Sequence, residues 1–347
     1  MHVSELDTPV LTVDLNVLER TINNMSTHCQ EIGIDLRVHT KTHKVPEIAK
    51  MQVAAGSKGI TCQKLGEAEA MVDVGLDDIL IPYNIVGKPK LQRLTELVKR
   101  AKMTFALDSE ETATGISEQA NADGVTVRVI IEMDTGSRRC GAQSPQAVLE
   151  LAQKITKMPG LDFQGIMAYP SNLRAKPFIE ETVELLTAAG LPVNIISGGG
   201  TGAERNSKEI GCTETRSGSY VYEGMTRISG SETLNPERCA LRMIVTVVST
   251  PTAERIIVDG GQKTFTSYPP KPYGHVIEHP DIMIYGMSVE HGHIDVSESS
   301  HKFRVGECLS IIPLHQGMTS NLHDELVAVR NGQVEAIWKI AGRGKVR

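Results

Sequence analysis

From about residue 10 to about residue 230 short apolar runs alternate with longer stretches whose apolar residues recur every three to four positions, the spacing of an amphipathic helix. Leu11-Thr12-Val13 leads into a helical stretch from Leu15 to Glu31. Strand-like runs follow at Asp35 to His39, Gly59 to Cys62, Ile79 to Ile81, Met103 to Leu107, Val125 to Glu132, Gly165 to Ala168 and Val193 to Ser197. Helical spacing fills the intervals: Val45 to Ala55, Gly66 to Val74, Pro89 to Arg100, Glu110 to Ala120, Pro145 to Met158 and Ile179 to Ala189. Repeated strand–helix units predict a parallel sheet. Roughly eight of them in one stretch predict an α/β fold of the (β/α)8 barrel class, with Leu11 to Val13 counted as the first strand.

The texture changes near residue 236. Cys239 to Thr250, Arg255 to Asp259, Ile282 to Tyr285, Cys308 to Pro313, Glu325 to Arg330 and Val334 to Ile340 are short β-type runs broken by Gly, Pro and Asn. This predicts two domains, a barrel over 1–235 and a C-terminal all-β domain over 236–347, with the boundary near Glu232 to Pro236. The first few residues are candidates to join the β-domain.

Composition narrows the function classes. The formal net charge is −6 and no block of like charges stands out, so the basic stripe of a nucleic-acid binder is missing. No apolar run approaches the length of a membrane span. The start, Met1-His2-Val3-Ser4-Glu5-Leu6-Asp7, lacks the basic and apolar regions of a signal peptide. The six cysteines are scattered without a Cys-x-x-Cys pair, which predicts reduced, mostly buried thiols and a cytoplasmic protein. The expected partner is a small molecule.

Barrel enzymes gather their chemistry at the C-terminal ends of the strands. Here those ends carry His39-Thr40-Lys41, Cys62-Gln63, Asp134-Thr135-Gly136 with Arg139, Tyr169, and Ser197-Gly198-Gly199-Gly200-Thr201-Gly202. The glycine run lets backbone N–H groups turn toward an anion, and it follows a late barrel strand, where such folds hold phosphate. It is not a P-loop, because no Gly-Lys-Ser/Thr follows. Gly218-Ser219-Tyr220 offers further donors. Lys41 ends an apolar strand among His39, His43 and Lys44, and cationic neighbours with partial burial lower an amine's pKa. A nucleophilic amine beside a phosphate cradle suits a phosphorylated aldehyde such as pyridoxal phosphate.

At these residues the chain resembles the fold-type III pyridoxal-phosphate enzymes of the D-threonine aldolase and D-serine dehydratase group. The resemblance runs through Thr8-Pro9-Val10, Arg37-Val38-His39-Thr40-Lys41-Thr42-His43-Lys44, Gln63 to Glu69, Asp134-Thr135-Gly136 with Arg139-Cys140-Gly141, and Ser197 to Gly202. It continues in Gly218-Ser219-Tyr220, Glu290-His291-Gly292, Pro313-Leu314-His315, Asn321 to Asp324 and Gly342 to Lys345. It implies an alanine-racemase-type barrel followed by a β-domain, assembled as a homodimer. It implies that Lys41 holds pyridoxal 5'-phosphate as a Schiff base with His39 beside it. Gly199, Gly200, Thr201, Gly218, Ser219 and Tyr220 would lie near the phosphate, and Gln63, Arg139 and Tyr169 near the ring. His315 is implied as a catalytic residue and ligand of a divalent metal (Mn, Mg or Zn).

Two positions depart from the group's pattern. Val38 stands where proline is usual. Gly317 stands where the second metal ligand, a Cys or Asp two residues after the His, is usual, and it has no side chain to donate. The implied reaction is aldol cleavage or elimination on a D-3-hydroxy amino acid. The alternative on the same fold is a metal-independent racemase or epimerase. Two other classes are open to this sequence. A non-catalytic pyridoxal-phosphate carrier of this barrel type would lack a β-domain. A metal-dependent hydrolase would use His291, His293 and Asp295. Tyr220 and Tyr222, two apart, would share one face if their segment were extended.

Overall fold

The computed structural model describes residues 1–225, 235–269 and 271–347. The expected boundary near Glu232 to Pro236 therefore falls mostly outside the described residues. The chain divides into two compact units. One comprises Asn24–Lys41, Ile48–Gly218 and Gly344–Arg347; the other comprises Met1–Asn23, Thr42–Glu47 and Ser219–Arg343.

The first unit contains a closed parallel barrel of eight strands. They are β2 (Asp35–His39), β3 (Gly59–Thr61), β4 (Asp78–Ile81), β5 (Lys102–Leu107), β6 (Val127–Asp134), β7 (Leu161–Tyr169), β8 (Ile195–Gly199) and β9 (Glu214–Arg216), with β9 pairing back onto β2. β1 (Val10–Asp14) is not among them. It lies in the other unit's sheet, antiparallel to β10 (Leu241–Thr252) and parallel to β16 (Glu325–Arg330). The strand count expected from the sequence was thus shifted by one. Leu11–Val13 is not a barrel strand, and Glu214–Arg216, to which the sequence pattern assigns no element, closes the barrel.

The helices between the strands form for local reasons. Ser109 caps α5 (Glu110–Asp123) by accepting from the Thr112 N–H at 3.3 Å, and Gly124, at φ 65°, ends it. Ser144 caps α6 (Pro145–Ile155) in the same way, with proline at the first helical position. Each helix buries one apolar face; α6 buries Val148, Leu151, Ala152 and Ile155. Inside the barrel Leu80, Ala106, Ile130 and Met167 pack together as one cluster, so the barrel is filled rather than hollow. The registers set His39 opposite Thr61 and Gly199 opposite Arg216, which brings the polar ends of β2, β3, β8 and β9 to one rim.

The other unit is built on a nine-stranded sheet. Its central path runs β13 (Ile284–Met287), β14 (Gly292–Asp295), β11 (Arg255–Val258), β10, β1, β16 and β17 (Gln333–Lys339). β15 (Cys308–Pro313) pairs with β10 and with β12 (Gly274–Val276). Beyond residue 235, helix among the described residues is confined to short pieces such as Gln316–Ser320. Among the described residues no helix is long and apolar enough to cross a membrane. Cys29, Cys62, Cys212 and Cys239 are buried, Cys140 is partly covered and Cys308 is exposed; none is in a disulfide.

Candidate active site

Lys41 follows β2 in a single 3-10 turn, Thr40–Thr42. Its side chain reaches solvent, yet protein atoms surround its amine on most sides. Desolvation lowers the amine's pKa from the ordinary lysine value, and the cations Arg139 and Arg216 lower it further against the opposing pull of Glu67. His39 is buried, and burial holds its pKa well below the imidazole range, with Lys41 and Arg216 adding to the effect. It is therefore neutral. Its Nδ1 accepts from the Lys41 backbone N–H at 3.4 Å, so the proton sits on Nε2, which donates to Gln63 Oε1 at 3.1 Å. Both ring nitrogens are thereby engaged. The Gln63 N–H in turn donates to Glu67 Oε2 at 2.8 Å, which anchors that loop to α3 (Leu65–Val72).

The loop after β8 has the form of an anion cradle. Gly200 sits at φ 146° and Gly202 at φ 89°, both in the region that favours glycine. The Gly199 N–H donates to Ser171 Oγ and the Gly202 N–H to Glu204 Oε1. The Gly218 N–H donates to Thr201 Oγ1 at 3.0 Å, which ties the two glycine segments together. Among the described residues the N–H groups of Gly200 and Thr201 meet no protein acceptor. A side chain built at Gly200 would come no nearer than 3.5 Å to Tyr169, so the space above the loop is open. Adjacent unpaired N–H groups facing open space fit a phosphate. Arg139 sits over the Tyr169 ring at 5.1 Å and donates to Glu132 Oε1 at 3.1 Å. Burial pushes the Glu132 carboxyl up, and Arg139 opposes that.

Arg216 and Glu214 escaped the sequence reading. Both are buried on β9, two apart, hence on one face. Arg216 donates to Ser197 Oγ at 2.7 Å and to the Ala168 carbonyl at 3.1 Å. Ser197 donates to Glu214 Oε1 at 2.7 Å, and Arg37 Nε donates to both Glu214 oxygens at 3.0 Å. Arg37 reaches on to Asp78 at 2.7 Å. The alternation Glu-Thr-Arg was the available signal for a strand with one charged face.

The remaining expected residues lie in the other unit. Ser219 opens a 3-10 turn, Ser219–Val221, and Tyr220 and Tyr222 are both fully buried. That segment is not extended, so the expected sharing of one face fails. Tyr222 instead meets the edge of His43 at 6.5 Å between ring centres. His43 and Lys44 are buried too. Lys44 donates to Asn321 Oδ1 at 2.8 Å. His315 caps the helix Gln316–Ser320, its Nδ1 accepting from the Met318 N–H at 3.1 Å, and its ring packs on Tyr268 at 4.5 Å. The Cβ position of Gly317 meets nothing nearer than 3.6 Å, so there is room for a ligand side chain and none is there. A His-x-donor metal pair does not fit this chain. His293 pairs with Ser288 Oγ at 3.1 Å, and the segment Glu290 to Asp295 forms no metal-ligating trio among the described residues.

Residues 13–225 match the family model "Alanine racemase, N-terminal domain", and residues 240–329 match "Putative serine dehydratase domain". The chain belongs to the alanine racemase-like, fold-type III family. Within this pyridoxal-phosphate-dependent family, a D-threonine aldolase from Arthrobacter sp is 34% identical, the alignment covering 99% of this chain and 94% of that one. A 3-hydroxy-D-aspartate aldolase from Paracoccus denitrificans is 32% identical with the same coverage. The solved D-threonine aldolase from Filomicrobium marinum superposes with a TM-score of 0.92 at 29% identity, covering 99% of this chain and 98% of that one. An alanine racemase from Clostridium difficile, at 16% identity and a TM-score of 0.76, shares the fold alone.

Proposed function

We propose that this fold-type III protein is a pyridoxal-phosphate-dependent lyase that splits a D-3-hydroxy amino acid into glycine and an aldehyde at Lys41. The observation that carries the reading is Lys41, an amine of lowered pKa on the barrel unit that also holds the unpaired N–H groups of Gly200 and Thr201. The aldolase names of the two relatives above support the reaction class.

Bound there, pyridoxal phosphate would supply an aldehyde carbon for the Lys41 amine and a ring that withdraws electrons from the substrate Cα. The protein's own groups do the rest. Gly200 and Thr201 hold the phosphate through their unpaired backbone donors, with Gly199, Gly218 and Ser219 framing them. Gln63, Arg139 and Tyr169 line the ring side, and buried Tyr220 fixes the turn behind Ser219. His39 is a positioning residue, because both its nitrogens are engaged in holding the Lys41 turn and Gln63. In the substrate the Cα–Cβ bond breaks, the β-oxygen gives up its proton to become an aldehyde, and Cα takes up a proton to become glycine. No step is assigned to a metal at His315. Gly317 favours a second reading, a metal-independent racemase or epimerase, in which only the Cα proton exchanges. A homodimer and a cytoplasmic location accompany both readings, supported by the family resemblance and the unpaired cysteines.

The test is chemical. Protein loaded with pyridoxal phosphate is reduced with borohydride, digested and mapped. The pyridoxyl label is expected on Lys41 alone, and Lys41→Ala should lose the visible band and at least about a thousandfold of the activity. A label on Lys44 or Lys64, or an unchanged Lys41→Ala spectrum, contradicts the assignment.

A further inference from the structure

His279, His301 and Glu307 form the one trio of metal-ligating side chains among the described residues, each offering a ligand atom within 4.8 Å of the other two. None was singled out by the sequence. His279 follows Ile277–Glu278, a segment pinned to β15: the Ile277 N–H donates to the Ser310 carbonyl at 2.9 Å, and the Ser310 N–H to Glu278 Oε2 at 3.0 Å. Glu307 stands just ahead of β15, and its main chain is locked on β10 through Val247. His301 comes from the loop between β14 and β15. The strand pairing therefore brings His279 to His301 and Glu307, which stand six residues apart on one loop.

We propose that this trio is a zinc-class transition-metal site of the β-domain, independent of the lyase reading. Two imidazoles and a carboxylate match the borderline ligand preference of Zn²⁺, with water completing a tetrahedron. The imidazoles of His279 and His301 stack at 4.5 Å with 30° between their planes, and each offers a nitrogen within 4.8 Å of the other two ligand atoms. His279 has no hydrogen-bond partner on its ring among the described residues, which leaves its nitrogens available. His301 Nε2 and Glu307 Oε1 are 2.7 Å apart, a hydrogen bond. Ligand atoms on one tetrahedral zinc stand about 3.3 Å apart, given Zn–N and Zn–O bonds of about 2.0 Å. Metal entry thus replaces the shared proton and opens that pair by roughly half an ångström. The other Glu307 oxygen accepts from the Arg304 N–H at 3.1 Å, which orients the carboxylate as backbone donors orient metal-bound carboxylates. Phe303 sets its ring edge against both imidazoles, at 4.9 and 4.6 Å, and limits their rotation. A metal here would tie the loop before β15 to the segment after β12.

The test is zinc binding to chelator-stripped, pyridoxal-phosphate-loaded enzyme, read by competition with a chromophoric chelator. Wild type and His315→Ala should each take up an equivalent of Zn²⁺ that is lost, or weakened at least about tenfold, in His279→Ala, His301→Ala and Glu307→Gln. The visible band of the loaded enzyme reports folding in each variant. Glu307→Gln keeps the carboxylate's shape and guards against a merely unfolded alanine variant. If wild type takes up no zinc, or if these three variants bind it as wild type does while His315→Ala does not, the site is not there.

Discussion

At the scale of single residues the account turns on the proton of Lys41. The amine's pKa is lowered first by desolvation and then by Arg139 and Arg216. A positive neighbour disfavours the ammonium form, so removing one raises the pKa. In Arg139→Gln the pH at which apoenzyme begins to capture pyridoxal phosphate should therefore move up toward the ordinary lysine value of 10.5. Stopped-flow absorbance across pH measures this, and a midpoint that stays put or moves toward acid contradicts the electrostatic argument. Lys41, His39 and the glycine run were legible in the sequence because each is a local exception. A lysine closes an apolar strand, and three glycines follow another. Arg216 was not legible. It sits in a strand of only three residues, too short for a pattern to stand out, and its burial depends on partners at Ser197 and Ala168.

At the scale of elements, β9 is held to the barrel by a chain of charges rather than by apolar packing alone. Arg37, Asp78, Glu214, Ser197 and Arg216 form one hydrogen-bonded line through β2, β4, β8 and β9. Removing one partner of a buried pair leaves the other charge desolvated and uncompensated. Glu214→Ala should cost about 3–5 kcal/mol in denaturant unfolding, and it should also weaken pyridoxal-phosphate binding because Arg216 loses its anchor through Ser197. Glu214→Gln should cost less, since it keeps an acceptor for Ser197. A stability loss under about 1 kcal/mol in the alanine variant would show that the line is not structural. The loop after β8 is tightly packed at its base. A side chain at Gly198 would stand 2.7 Å from Ser171 Oγ and 2.8 Å from both Cys212 Sγ and Ser207 Oγ. Gly198→Ala should lose about 1–3 kcal/mol by overpacking, measured the same way.

At the scale of the whole molecule the repeating strand–helix pattern was enough for the barrel, and the broken β-runs were enough for a second domain. What failed was the membership of β1. An apolar strand leading into a helix has the same local pattern whether it pairs with β2 or with β10 and β16, and the choice is made by residues more than two hundred positions away. Pairing likewise brings His279 to the loop that carries His301 and Glu307, through β12 and β15. Local patterning reports elements; long-range pairing decides where they go.

The reaction itself is the central claim, and one assay decides it. Pyridoxal-phosphate-loaded enzyme is incubated with D-threonine, and the products are separated by chromatography. The account predicts glycine and acetaldehyde in equal amounts, and none from Lys41→Ala. Accumulation of 2-oxobutanoate and ammonia, or of an epimer of the substrate without glycine, would contradict it.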